Sequence, residues 1–282
     1  MIRLPKLHRE TWRRVLGVWT LLGASIGTTA CAGAAAPPAA APPPATEDLV
    51  VKVVRTFHHE RDAFTQGLVY YDGRLYESTG LAGHSTLRRV AIESGQVEER
   101  IQLPAPLFGE GLARVGNELV QITWQNEQAF VWSIGGFRRL REHHYRGEGW
   151  GLCYDGKRLV MSDGSTRLTF RDPKSFEPTG DVMVRRDGVP VASLNELECV
   201  DGAVYANIWQ TQSIVRIDPA TGRVTASIDA SGLLTDGELR EADVLNGIAY
   251  WPERHSFLIT GKLWPRLFEV QFVPRDVKTT SR

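Results

Sequence analysis

From Leu49 onward the chain runs in short apolar and alternating segments, broken repeatedly by Gly, Asp, Asn and Pro. Val50-Val51-Lys52-Val53-Val54, Leu87 to Ala91, Ala129 to Ser133, Leu168 to Arg171 and Ile214 to Ile217 read as strands with one face in a core. Tyr71-Asp72-Gly73-Arg74, Val115-Gly116-Asn117, Tyr154-Asp155-Gly156-Lys157 and Val200-Asp201-Gly202 are hairpin signals between such runs. No stretch keeps a helical period long enough to predict a helix of about ten residues or more.

The segments repeat. Phe64-Thr65-Gln66-Gly67-Leu68 is echoed by Phe108-Gly109-Glu110-Gly111-Leu112, Gly149-Trp150-Gly151-Leu152, Leu194-Asn195-Glu196-Leu197 and Leu245-Asn246-Gly247-Ile248. The register residues Gln66, Glu110, Trp150, Asn195 and Asn246 are separated by 44, 40, 45 and 51 positions. Each unit offers about four short strands, so the spacing predicts an all-β, five-bladed β-propeller of four-stranded blades. An N-terminal strand over Leu49 to His58 is expected to pair with Leu267 to Phe272 and close the ring. A β-sandwich would also use alternating strands but would not explain the recurring register.

A second register lies fourteen residues on, at Gly80, Trp124, Gly164 and Trp209, with Lys262 sixteen residues after Asn246. Equivalent blade positions face equivalent ways, and the inner strands line the propeller axis. One site should therefore gather Gln66, Glu110, Trp124, Trp150, Asn195, Trp209 and Lys262. Three indoles with one carboxylate, one ammonium and two amides have the composition of a small-molecule pocket. The bland alternative packs the tryptophans between blades and makes Glu110 and Lys262 a surface ion pair. His58-His59 and His143-His144 lack partners at a metal-ligand spacing, so no metal site is read. Ser162-Asp163-Gly164-Ser165 lacks the strand-to-helix context of a nucleophile elbow and reads as a turn.

Composition adds limits. A hydrophobic content of 42% is enough for a packed core, and 33 basic against 33 acidic residues give no bulk attraction to nucleic acid or an anionic membrane. A basic stretch, Met1 to Arg14, then the apolar run Val15 to Gly27 and small residues near Ala30 have signal-peptide grammar. Cys31 stands where a lipoprotein cysteine would, although Thr28 occupies the place of the usual leucine; lipidation at Cys31 and ordinary cleavage both stay open. The expected organisation is a leader at 1–31, an Ala/Pro-rich linker at 32–48, the propeller at 49–275 and a tail at 276–282. The expected location is exported: periplasmic, lipid-anchored or secreted. Cys153 and Cys199 fall one strand position apart in the repeat, which puts them on opposite sheet faces and predicts two separate buried thiols.

The ordered set Phe64-Thr65-Gln66-Gly67-Leu68, Gly109-Glu110-Gly111-Leu112, Thr123-Trp124, Glu148-Gly149-Trp150-Gly151-Leu152, Asn195-Glu196-Leu197-Glu198, Asn207-Ile208-Trp209, Leu245-Asn246-Gly247-Ile248 and Thr260-Gly261-Lys262-Leu263-Trp264-Pro265 resembles the plant-type and bacterial glutaminyl-peptide cyclotransferases. That resemblance implies a five-bladed propeller that converts N-terminal glutamine to pyroglutamate and releases ammonia. It implies active-site positions at Phe64, Gln66, Glu110, Trp124, Trp150, Asn195, Trp209 and Lys262, with Glu110 and Lys262 as the catalytic pair. No cofactor is expected. The expected partners are peptides or proteins beginning with glutamine, no nucleic acid, and a membrane only through an anchor at Cys31; the expected state is a monomer. The departures are the leader, the spacer and the acidic insertion Asp236 to Asp243. The competing functions are a non-catalytic exported propeller that stacks a peptide or sugar on its tryptophans, and, more weakly, a metal-dependent hydrolase.

Overall fold

The computed structural model of the protein describes residues 44–275; the leader, Cys31, most of the Ala/Pro-rich segment and the tail from 276 lie outside them. After an N-terminal strand β1 (Glu47–His58), blade 1 is β2 (Thr65–Tyr71), β3 (Arg74–Thr79), β4 (Thr86–Ala91) and β5 (Val97–Gln102). Blade 2 is β6 (Gly109–Val115), β7 (Glu118–Thr123), β8 (Gln128–Ser133) and β9 (Arg139–His144). Blade 3 is β10 (Leu152–Tyr154), β11 (Leu159–Met161), β12 (Arg167–Arg171) and β13 (Pro178–Met183), followed by a small hairpin of β14 (Arg185–Arg186) and β15 (Val189–Pro190). Blade 4 is β16 (Leu194–Val200), β17 (Ala203–Ile208), β18 (Ser213–Ile217) and β19 (Val224–Asp229). Blade 5 is β20 (Leu245–Trp251), β21 (Ser256–Gly261) and β22 (Arg266–Pro274), completed by β1. The one α-helix among the described residues, α1 (Asp236–Leu239), lies in the acidic insertion and is capped by Thr235 and Glu238.

The core is divided into layers between blades. Leu87, Leu112 and Leu119 pack between blades 1 and 2, and Ile122, Leu152 and Leu159 between blades 2 and 3. Val160, Leu197 and Val204 fill the next layer, Ile214, Ile248 and Ile259 the one after. Leu68, Leu75, Leu258 and Leu267 then join blade 5 to blade 1. A row of blades would leave its first and last faces apart; the layer between blades 5 and 1 makes the row a ring.

The seam lies where the sequence places it. β1 runs antiparallel to β22, with Val53 opposite Val270 and Phe57 opposite Leu267. β1 also begins at Glu47, and Glu47 to Val50 pair in parallel with Ala226 to Asp229 of β19. That contact was not read from the sequence. It fuses blades 4 and 5 into one eight-stranded sheet and covers the outer edge of blade 4.

Close approach at the axis explains one repeat position. A Cβ at Gly67 would fall on the backbone nitrogen of Leu112, one at Gly111 on that of Leu152, and one at Gly151 on the carbonyl of Asn195. Blade 4 has Glu196 at this position instead of glycine. Its fully buried carboxylate accepts the amides of Leu68 at 3.2 Å and Ile248 at 2.8 Å, tying blades 1 and 5 to blade 4.

The cysteines correct an expectation. Cys153 and Cys199 form a disulfide, with their Cα atoms 5.5 Å apart. Opposite faces are indeed what one strand position implies, but stacked blades confront each other through opposite faces. Cys153 on blade 3 and Cys199 on blade 4 thus meet across the layer that separates them. The bond spans 46 residues, a separation for which loop entropy gives a stabilisation of about 4 kcal/mol. Replacing both cysteines by serine should therefore lower the urea midpoint of unfolding. A midpoint equal to that of the oxidised protein would mean that the cross-link stabilises nothing.

Candidate active site

The repeat residues reach the axis through a recurrent defect in the inner strands. The ladder between the first two strands skips Gln66 in blade 1, Glu110 and Gly111 in blade 2, Asn195 and Glu196 in blade 4, and Asn246 and Gly247 in blade 5. Such bulges release a residue from pairing and re-aim its side chain. The second register lies just past the end of the second strand and is fixed by a repeated bond. The amides of Gly80, Trp124, Trp209 and Lys262 donate to the carbonyls of Phe64, Phe108, Ser193 and Val244, at 2.8 to 3.0 Å. Each acceptor stands two residues before its blade's register residue.

These devices gather Phe64, Gln66, Glu110, Trp124, Trp150, Asn195, Trp209 and Lys262 around one cavity of about 400 Å³. Asn246, the fifth register residue, sits behind the wall: its Nδ2 donates to the Thr65 carbonyl at 3.0 Å and to Gln66 Oε1 at 3.2 Å. Gln66 Nε2 in turn donates to Glu110 Oε1 at 2.9 Å. A chain of amides thus orients the carboxyl. The Asn195 side-chain amide has no hydrogen-bond partner among the described residues and lines the cavity.

Aromatic rings form the walls. Phe64 meets Phe108 edge-on at 6.2 Å, Phe108 meets Trp124 at 5.6 Å, and Trp150 meets Trp209 at 5.4 Å. Gly164, at φ +78°, holds a conformation that favours glycine, and a Cβ there would strike the Trp150 ring. Trp124 and Trp209 stay 37% and 38% exposed, which marks them as the mouth and not as interblade packing.

The sequence reading missed several lining residues: Phe108, Gln210, Asp243 and Val244. Asp243 ends the acidic insertion and Val244 follows it, so that departure from the family pattern builds part of the wall. Glu148 was also passed over. One of its carboxylate oxygens accepts from the indoles of Trp124 and Trp150 at 2.8 and 2.9 Å, while the other accepts from Gln125 at 2.8 Å. The missing signal was a third register: Phe64, Phe108, Glu148 and Val244 all stand two residues before Gln66, Glu110, Trp150 and Asn246.

The electrostatics follow from burial. Glu110 is 5% exposed, and burial raises its pKa well above the usual carboxylate range; Lys262 pulls it down and the Glu148 charge pushes it further up. Burial lowers the Lys262 pKa, against the opposing pull of Glu110 and Asp243. The ammonium lies 4.9 Å from the Phe64 ring centroid, and no carboxylate is within 4.0 Å of it among the described residues. Glu148 is different: partial burial opposes its charge, but the bonds from Gln125, Trp150 and Trp124 hold its pKa below the usual value. Of the histidines considered for metal, His59 is buried between Glu77, at 3.0 Å, and the Trp264 carbonyl, at 2.7 Å, beneath the turn that carries Lys262. Burial disfavours the charged imidazole, but Glu77 outweighs that cost and raises the His59 pKa, while its own falls to about 2.

Known proteins resemble this chain over most of its length. The sequence model of the glutamine cyclotransferase family matches residues 24–272. The glutaminyl-peptide cyclotransferase of Arabidopsis thaliana is 39% identical over 236 residues, which cover 81% of this chain and 73% of the plant protein. The crystal structure of Myxococcus xanthus glutaminyl cyclase superposes with a TM-score of 0.75 at 46% identity, covering 82% of this chain and all of that one. A family model that matches most of the length, a plant relative at 39% identity and a superposable bacterial cyclase at 46% identity together place the chain in the glutamine cyclotransferase family.

Proposed function

We propose that this chain closes N-terminal glutamine into pyroglutamate, with Glu110 carrying a proton from the α-amine to the departing amide nitrogen. Glutaminyl-peptide cyclotransferase activity follows from the family, and its substrates are peptides that begin with glutamine. The observation that carries the mechanism is one buried carboxyl, Glu110, oriented by Gln66 in an aromatic pocket that also holds one ammonium, while the other carboxyl of the lining, Asp243, is exposed.

In the reaction the α-amine nitrogen bonds to the side-chain carbonyl carbon, and the bond from that carbon to the amide nitrogen breaks. One hydrogen must leave the attacking nitrogen and one must reach the departing nitrogen, so that ammonia and not an amide anion is expelled. Nucleophile and electrophile already share a molecule, which supplies part of the proximity gain. What remains is proton transfer. A free α-amino group has a pKa of about 7.7–8.0. Burial raises the pKa of Glu110 well above the usual carboxylate range, which lowers the cost of its holding that proton, and Glu110 ends the cycle as it began. Lys262 faces the cavity where the carbonyl oxygen gains charge and stabilises it. Asn195 offers its unpaired amide to the substrate, and Phe64, Trp124, Trp150 and Trp209 exclude water around it.

The export proposed from the leader is supported by the Cys153–Cys199 bond, since disulfides persist in oxidising compartments. The direct test is to incubate the protein with a short glutamine-initiated peptide and follow free ammonia and peptide mass. Enzyme-dependent loss of one ammonia per peptide is expected. Binding without a change of mass would favour the non-catalytic propeller instead.

A further inference from the structure

We propose that the groove on the blade 1 side of the pocket receives the residues after the substrate's glutamine and selects an acidic side chain among them. This rests on the reaction proposed above, because the cyclising end must lie in the pocket for the rest of the chain to leave across its rim.

On this side the pocket is lined by Phe64, Phe108 and Lys262. Directly beyond it lies a groove of about 540 Å³, lined by Leu81 and Leu263 at its near end and by Asp62, His84, Arg88, Arg100 and Gln102. Leu263 comes directly after Lys262 in the chain. Leu81 comes directly after Gly80, whose missing Cβ leaves room for the Phe108 and Phe64 rings. The two leucines therefore form a saddle between pocket and groove.

Both leucines have left-handed backbones, at φ +78° for Leu81 and +60° for Leu263. That conformation costs about 1–3 kcal/mol for a residue with a side chain and persists only where the surroundings impose it. Here they do. The Leu81 carbonyl accepts from the His84 amide at 2.8 Å and from Ser85 Oγ at 3.0 Å, and the Leu263 amide donates to the Ala63 carbonyl at 2.8 Å. Leu81 is nevertheless 39% exposed. Two strained loops thus place an exposed leucine, Leu81, and a half-buried one, Leu263, at the step a peptide must cross to pass from pocket to groove, which suits the residue after glutamine.

Charge sets the preference at the next position. Arg88 and Arg100 are direct cross-strand neighbours on β4 and β5, an arrangement that repels. Arg88 is neutralised: Glu60 lies 3.0 Å from it, Glu77 3.7 Å and Asp62 3.8 Å. No carboxylate lies within 4.0 Å of Arg100 among the described residues, and His84 stands in the same groove. A carboxylate on the third substrate residue would complete the set.

The test compares Gln-Leu-Glu-Ala with Gln-Leu-Lys-Ala, using glutamine amide, which cannot reach the groove, as the reference substrate for each protein. The unmodified protein should prefer the acidic peptide by about two- to fivefold in kcat/KM, as expected for an exposed ion pair. Arg100→Glu should invert that ratio, and 1 M salt, where screening acts within about 3 Å, should flatten it. An unchanged ratio in Arg100→Glu, with glutamine amide still turned over, would overturn the subsite alone. Failure of the unmodified protein to turn over glutamine amide would remove the reaction on which the subsite rests.

Discussion

Replacing Glu110 by Gln should lower kcat/KM on a glutamine-initiated peptide by about 10²–10⁴-fold, the range for loss of a positioned acid–base group. The substitution tests chemistry more than shape. Glutamine has nearly the size of glutamate, and its carbonyl can still accept the bond that Gln66 Nε2 makes to Glu110 Oε1 at 2.9 Å. The aromatic walls and the propeller should remain in place. Stability should not fall, since the variant removes a carboxyl whose raised pKa shows that its charge is disfavoured where it lies. Peptide binding, measured by quenching of the indoles at Trp124 and Trp209, should survive. A variant that keeps more than a tenth of the activity would take the proton-transfer role away from Glu110 and leave it a structural acceptor for Gln66.

The same variant separates the two functions that the composition of the pocket allowed. A binding propeller has no use for a carboxyl that can change protonation state, so its peptide affinity should be indifferent to Glu110→Gln. An enzyme should keep the affinity and lose the turnover.

The architecture was legible because a propeller writes itself as a period. Each blade repeats one hairpin sequence, and the register residue falls at the same bulge in four blades. The candidate site was legible for the same reason: Glu110, Trp124, Trp150, Trp209 and Lys262 are unusual residues at positions that the period makes equivalent. What escaped the reading was information carried between blades. The Cys153–Cys199 pair depends on which faces of neighbouring sheets meet, a relation that alignment of one blade on another does not contain. The parallel pairing of β1 with β19 joins residues nearly 180 positions apart and obeys no repeat. Glu148 was hidden differently. Its equivalents are Phe64, Phe108, Ser193 and Val244, so the third register keeps its place while changing its chemistry, and only the bonds to two indoles reveal what a carboxylate does there.

Lys262→Met and Glu148→Gln should move in opposite directions the limb of kcat/KM against pH that reports Glu110. That ionisation belongs to the free enzyme and is distinct from that of the substrate amine. Lys262 favours the charged form of Glu110 and so lowers its pKa. Without the ammonium the pKa rises, and the limb should shift to higher pH. The Glu148 charge does the reverse, so its removal should let the Glu110 pKa fall and shift the limb to lower pH. Lys262→Met should also reduce the plateau by about 10²–10³-fold if the ammonium stabilises the developing oxyanion, the magnitude seen for loss of one such donor. In Glu148→Gln the indoles of Trp124 and Trp150 keep a carbonyl to bond to but lose a charged acceptor, so KM should rise more than kcat falls. A merely structural role for both residues predicts lower rates with an unmoved limb. Shifts of the same sign would mean that the limb reports disturbance of the pocket and not the charge that Glu110 feels.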